Sequence, residues 1–148
     1  MSTLSKVSGF IAAEFQFNAL VNTVTFEKTA ELDYNKENIY QLVNIDLVES
    51  QVISELISFR YVITILQQRD IEPRMNNDKM FGSNMIDNLS ETHASAVSFI
   101  NELSSQNNEL GIDLIEVPLI TFLKNFKGAL DGVHFTLNLT VANDLKCI

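Results

Sequence analysis

Residues 131–144, DGVHFTLNLTVAND, alternate with almost no fault: Val133, Phe135, Leu137, Leu139 and Val141 against His134, Thr136, Asn138 and Thr140. A two-residue period sends the two sets to opposite faces of a sheet, so this stretch reads as a strand with one apolar and one polar side. The apolar set demands a core supplied by other elements. The polar set carries almost no charge, although the chain has a formal net charge of −9.

The rest of the chain supplies the core partners. Leu4, Val7, Ile11 and Phe15 recur at helical steps and predict a helix over residues 3–19, with Phe10, Phe17 and Leu20 widening its apolar stripe. TVTFEK (23–28) reads as a short strand, and the polar TAELDYNKENI (29–39) as a loop or hairpin tip. YQLVNIDLV (40–48) and ISFRYVITIL (57–66) are strands, with ESQVISE between them as the hairpin connection. The second of these is apolar on both faces, which places it centrally in the sheet. A second helix is expected over 84–105, with Ile86, Leu89, His93, Ala96, Val97, Ile100 and Leu103 as its buried stripe. LIEVPLITFLKNF and GVHFTLNLTV close the chain as a hairpin. Lys127, Gly128 and Asp131-Gly132 lie near its turn, and Pro118 marks an edge or bulge. The reading is one α+β domain over residues 1–148: an antiparallel or mixed sheet of about five strands with two helices packed on one face.

Composition narrows the function. Ten basic residues face nineteen acidic ones, and the basic ones form no stripe, which argues against a directly gripped nucleic acid. No apolar run approaches the roughly 20 residues that cross a bilayer. The N-terminal stretch is broken by Glu14 and Gln16, unlike a secretory leader, so the expectation is a cytoplasmic site of synthesis. The single cysteine, Cys147, has no intrachain partner to form a disulfide and no companion ligand.

No catalytic signature is present: there is no glycine-rich phosphate loop, no GxSxG, no HExxH and no CxxC. His93 falls on a helix stripe and reads as a half-buried structural histidine. The irregular stretch QQRDIEPRMNNDKMFGSN (67–84) gathers Arg69, Asp70, Glu72, Arg74, Asp78 and Lys79. Paired carboxylates there suit a hydrolase, and Asp70 with Asp78 suits a metal. Alternating signs neutralise one another, however, and favour either a solvated loop or ion pairs with a neighbouring subunit. These six residues are candidate subunit contacts. No catalytic, metal or cofactor site is assigned.

The runs ENIYQLVNIDLVES, ISFRYVITILQQRD, DNLSETHASAVSFINEL and DGVHFTLNLTV together resemble small tail-completion or tail-terminator-like proteins of tailed bacteriophages, especially phages of Bacteroidetes bacteria. The resemblance extends from about Asn22 to Asn143; Gln41 stands where a proline is expected after Tyr40. It implies a structural virion protein, made in the host cytoplasm, that assembles as a ring of six or twelve copies at the neck or tail. A ring subunit must contact its neighbours, which makes His134, Thr136, Asn138 and Thr140 further candidate subunit contacts, since a neutral face forms hydrogen bonds without the desolvation cost of charges; the alternative is that this face meets water. DNA passes through such a ring without sequence-specific binding, and neighbouring neck, tail or portal-connector proteins are the implied partners. The alternatives are a portal-to-tail connector or adaptor and, further off, a small acidic ligand-binding domain or enzyme.

Overall fold

The structure is a computed structural model and describes residues 3–28, 40–68, 85–105, 111–126 and 130–142. Its elements are α1 (Thr3–Gln16), β1 (Thr23–Thr25), β2 (Leu42–Ile53), β3 (Leu56–Gln68), α2 (Met85–Ser104), β4 (Asp113–Leu114), β5 (Thr121–Phe126) and β6 (Leu130–Ala142). They make an α+β fold with one mixed sheet of six strands among the described residues. The strand order is β1-β2-β3-β6-β4, and β5 also pairs with β6. β1 runs parallel to β2, and every other pairing is antiparallel.

The alternation of the last strand dictates the core. Val133, Phe135, Leu137, Leu139 and Val141 are all buried. The register sets them beside Ile65, Ile63, Tyr61, Phe59 and Ile57 of β3, the central strand. Both helices cover this face. α1 contributes Val7, Ile11 and Phe15, and α2 contributes Ala96, Phe99 and Leu103, to the same apolar cluster. The rings of Phe15 and Phe99 stack at 4.3 Å, so the two helices meet over the sheet. Full burial of each such side chain contributes roughly 1.5–3 kcal/mol.

A polar layer lies under the first turns of α2. Asn88 Nδ2 donates to the Gln68 carbonyl at 3.1 Å and lies 3.4 Å from Asp131 Oδ2. Thr92 Oγ1 returns a bond to the Asn88 carbonyl, and Ser95 Oγ donates to Gln41 Oε1 at 2.8 Å. The buried stripe of α2 is therefore rotated from the one the apolar spacing predicts. Leu89, Ala96 and Leu103 are buried as expected, but the stripe also carries Asn88, Thr92, Ser95 and Phe99, while Ile86, His93, Val97 and Ile100 are only partly buried. The helix seats hydrogen-bonding groups at one end of the sheet and apolar ones at the other, and a stripe drawn through apolar residues alone misses that change.

Other boundaries also move. α1 stops at Gln16, where the chain turns and the Asn18 side chain accepts the Leu20 N–H at 2.9 Å. The first strand is only TVT, because Glu27 beyond it is tied to the Asn44 side chain rather than to a strand. ESQVISE is not a loose connection: pairing continues to Ile53↔Leu56, and Ser54, at φ 54°, makes the tight turn with Glu55. Asp131 and Gly132 lie inside β6 rather than at its turn, since both are buried and paired with β3. LIEVPLITFLKNF divides into β4 and β5 around an irregular segment holding Pro118, which cannot donate to a ladder.

Candidate functional site

The sheet face turned away from the helices is the first place to look, because the alternating strand puts its polar set there. His134, Thr136, Asn138 and Thr140 stand opposite Thr64, Val62, Arg60 and Ser58 of β3. Thr136 is exposed and the other three of the β6 set are partly buried. This face is less neutral than β6 alone suggests. Arg60 Nε donates to Asn138 Oδ1 at 3.0 Å, and its Nη1 pairs with Glu49 Oε1 at 2.7 Å. Both charged partners are half-exposed, so the pair orders the surface more than it stabilises the fold.

Residues 115–120 form a wall beside this floor. β4 pairs with Leu139 and Thr140, and β5 begins its pairing at His134. Between them the chain leaves the ladder after the Ile115 N–H bonds the Asn138 carbonyl. Two clefts result, one of about 390 Å³ over Arg60, Ser58 and Gln51, the other of about 280 Å³ over His134 and Thr136. Both are lined by Glu116 and Asn138, so they adjoin along the polar face. The wall also carries apolar side chains into solvent: Val117 is 90% and Leu119 84% exposed, and Ile115 is about half exposed.

At the opposite edge, β1 pairs with β2 only as far as Asn44. Beyond it, among the described residues, the outer edge of β2 has no strand neighbour, and the β2–β3 hairpin runs on. Its helix-side surface is an apolar depression of about 420 Å³ between Leu4, Leu47, Val48, Val52, Ile57 and Phe59. Leu4, Leu47, Val48 and Val52 are exposed there, whereas Ile53 and Leu56, also exposed, pair with one another on the opposite face of the hairpin. A β-bulge between Leu47 and Glu49 inserts Val48 and adds its side chain to this surface. An apolar edge of this kind, unprotected by lysine or proline, is what soluble sheets ordinarily avoid.

The structure therefore brings together the four β6 residues singled out in the sequence. Arg69, Asp70, Glu72, Arg74, Asp78 and Lys79 lie outside the described residues. His93 stacks on Phe122 at 5.5 Å, which gives it a packing role. The missed features are the projecting Val117 and Leu119 and the long hairpin. Only Pro118 signalled the first, and nothing in the alternation distinguishes an apolar residue over a helix from one beyond its reach. Among the described residues no group of three or more His, Cys, Asp or Glu is placed to hold a metal, and no helix is long and apolar enough to cross a membrane. No family model matches the chain, and none of the curated proteins matches it in sequence.

Proposed function

We propose that the chain is a structural subunit of a tailed-phage virion, acting as a ring at the neck or tail (tail completion or termination) around the DNA channel. The observation that carries this reading is the pair of unlike apolar patches on opposite edges of one sheet, Leu47/Val48/Val52 and Val117/Leu119. Cyclic rings beyond a dimer need heterologous contacts, in which two different surfaces of each subunit complement one another. A single two-fold pairing leaves one of these patches in water.

Two further features support it. The resemblance to phage tail-completion proteins runs through the strands and the helix that build the sheet. The excess of nine negative charges suits a passage that must not retain DNA, because carboxylates repel phosphates where lysines and arginines would hold them. The groove floor, with His134, Thr136 and Asn138 beside the Arg60–Glu49 pair, offers hydrogen bonds to a neighbouring ring. In this role the copies number six or twelve, the partners are neck, tail or portal-connector proteins, and no reaction is catalysed.

Mass spectrometry of purified virions tests the reading. The protein is expected among the structural components, and particles made without it are expected to hold packaged heads with missing or unstable tails. Its absence from virions would discard the proposal.

A further inference from the structure

We infer that β5 has a second register on β6, two residues away from the first, in which residues 113–123 zip into one continuous strand and close a gap in the ladder at Thr136. The inference rests on the fold alone and holds whatever the role of the protein.

The gap comes from a mismatch in length. Ile115 bonds to Asn138 on one side of it and Thr121 pairs with His134 on the other, so six steps of chain face four steps of β6. Along a strand, backbone groups point to the same side at every second residue. The Asn138 carbonyl faces β4, so the N–H and C=O of Thr136 face that edge too, and among the described residues no residue pairs with Thr136 there. The two surplus residues stand out over a hollow of about 280 Å³, with Val117 and Leu119 in water.

A two-residue slip removes the mismatch. β5 moves about 7 Å along β6. Val117 then comes opposite Thr136, Leu119 opposite His134, Thr121 opposite Gly132 and Leu123 opposite Leu130, all in the register that β4 already sets. A slip of two keeps the side chains of residues 121–123 on their own faces of the sheet, whereas a slip of one inverts them. The sequence accepts the change. Leu123 takes the place of Phe126 beside Leu130, and Ile120 takes that of Phe122 opposite Val133, apolar for apolar. Pro118 falls opposite Phe135, where its backbone points away from β6, so its missing N–H costs no ladder bond. The slip gains pairing at Thr136 and gives up the pairing of Phe126 with Leu130 and the stack of Phe122 on His93. Pairing at that end is already irregular, with a register shift between Leu123 and Phe126. Gains and losses nearly balance, which makes the second register a minor state of roughly 1% of the free chain. The segment is thus a strap: Val117 and Leu119 project in one register and lie along the edge strand in the other.

Disulfide trapping in the full-length chain tests this. In a Cys147→Ser background, Thr121→Cys/His134→Cys locks the first register and Leu119→Cys/His134→Cys the second. Partners two residues out of register stand beyond the roughly 7 Å that a disulfide spans between Cα atoms. Both pairs are expected to close under a mild oxidant. In the 119–134 form the Thr136 amide should exchange with solvent about tenfold or more slowly than in the 121–134 form. The nuclear Overhauser contact between the His93 and Phe122 rings should be lost, and reduction should reverse both changes. A 119–134 pair that stays reduced where the 121–134 pair closes overturns the inference. So does closure that leaves Thr136 exchange and the ring contact unchanged. If the variants do not fold, relaxation dispersion on the parent chain decides: Val117, Phe122 and Thr136 are expected to share one exchange rate, and flat profiles overturn the inference.

Discussion

Gly132 on β6 lies against the backbone of Ile65 on β3 so closely that a Cβ built on it would stand 1.8 Å from the Ile65 carbonyl oxygen. The oxygen belongs to the main chain of the central strand and cannot swing aside. Gly132→Ala must therefore part the two strands locally, with a cost of about 1–3 kcal/mol or more. A urea titration is expected to show a lower midpoint for this variant. An unchanged midpoint would mean that the two strands are not in contact there.

Leu137 and Thr136 are neighbours in the chain with opposite fates, one fully buried and one exposed. Leu137→Asp puts a charge among Tyr61, Phe135 and the helices without a partner, at a cost of at least several kcal/mol. Soluble, cooperatively melting Leu137→Asp protein is not expected. Thr136→Asp, one residue away, should melt within about 1 kcal/mol of the parent, as surface substitutions do. If both variants behave alike in thermal melts, the assignment of the two faces of β6 is wrong.

Asn44 is buried on the face away from the helices and holds the chain that leaves β1. Its Oδ1 accepts from Thr25 Oγ1 at 2.8 Å and from the Glu27 N–H at 3.0 Å, and its Nδ2 donates to the Glu27 carbonyl at 3.0 Å. Asn44→Ala removes all three and leaves two backbone groups of Glu27 without those partners, a loss of roughly 1–3 kcal/mol. Amide exchange at Glu27 is expected to accelerate more than exchange in β3. Equal protection in both proteins would contradict the latch.

Tyr61 titrates above its ordinary value of 10.0, chiefly because burial disfavours the phenolate, with the Ser8 hydroxyl at 2.9 Å acting in the opposite direction. The folded state therefore keeps its proton to a higher pH than the unfolded chain does. The corresponding stability is fully present below about pH 10 and is lost as pH rises above it. Denaturation midpoints between pH 9 and the alkaline limit should fall for the parent protein and fall less for Tyr61→Phe. Parallel profiles would exclude a role for this residue.

Much of the framework is legible in the chain because periodicity is a local property. The two-residue period of 131–144 identifies β6 and both of its faces, and the doubly apolar ISFRYVITIL identifies the central strand. The steps from Leu4 to Phe15 identify α1. Each follows from where consecutive side chains must point, whatever lies across from them. The tertiary structure decided what those faces meet. Gly132 looks like a turn residue until β3 passes over it, and Phe99 joins the core because Phe15 and Phe135 arrive beside it. Val52 reads as part of the hairpin connection and Val117 as an ordinary strand residue, and both are surface because no other described element covers the hairpin end and because the chain around Pro118 leaves the ladder. Whether an apolar residue belongs to a core or to an interface depends on the reach of elements distant in sequence, and no local pattern encodes that distance.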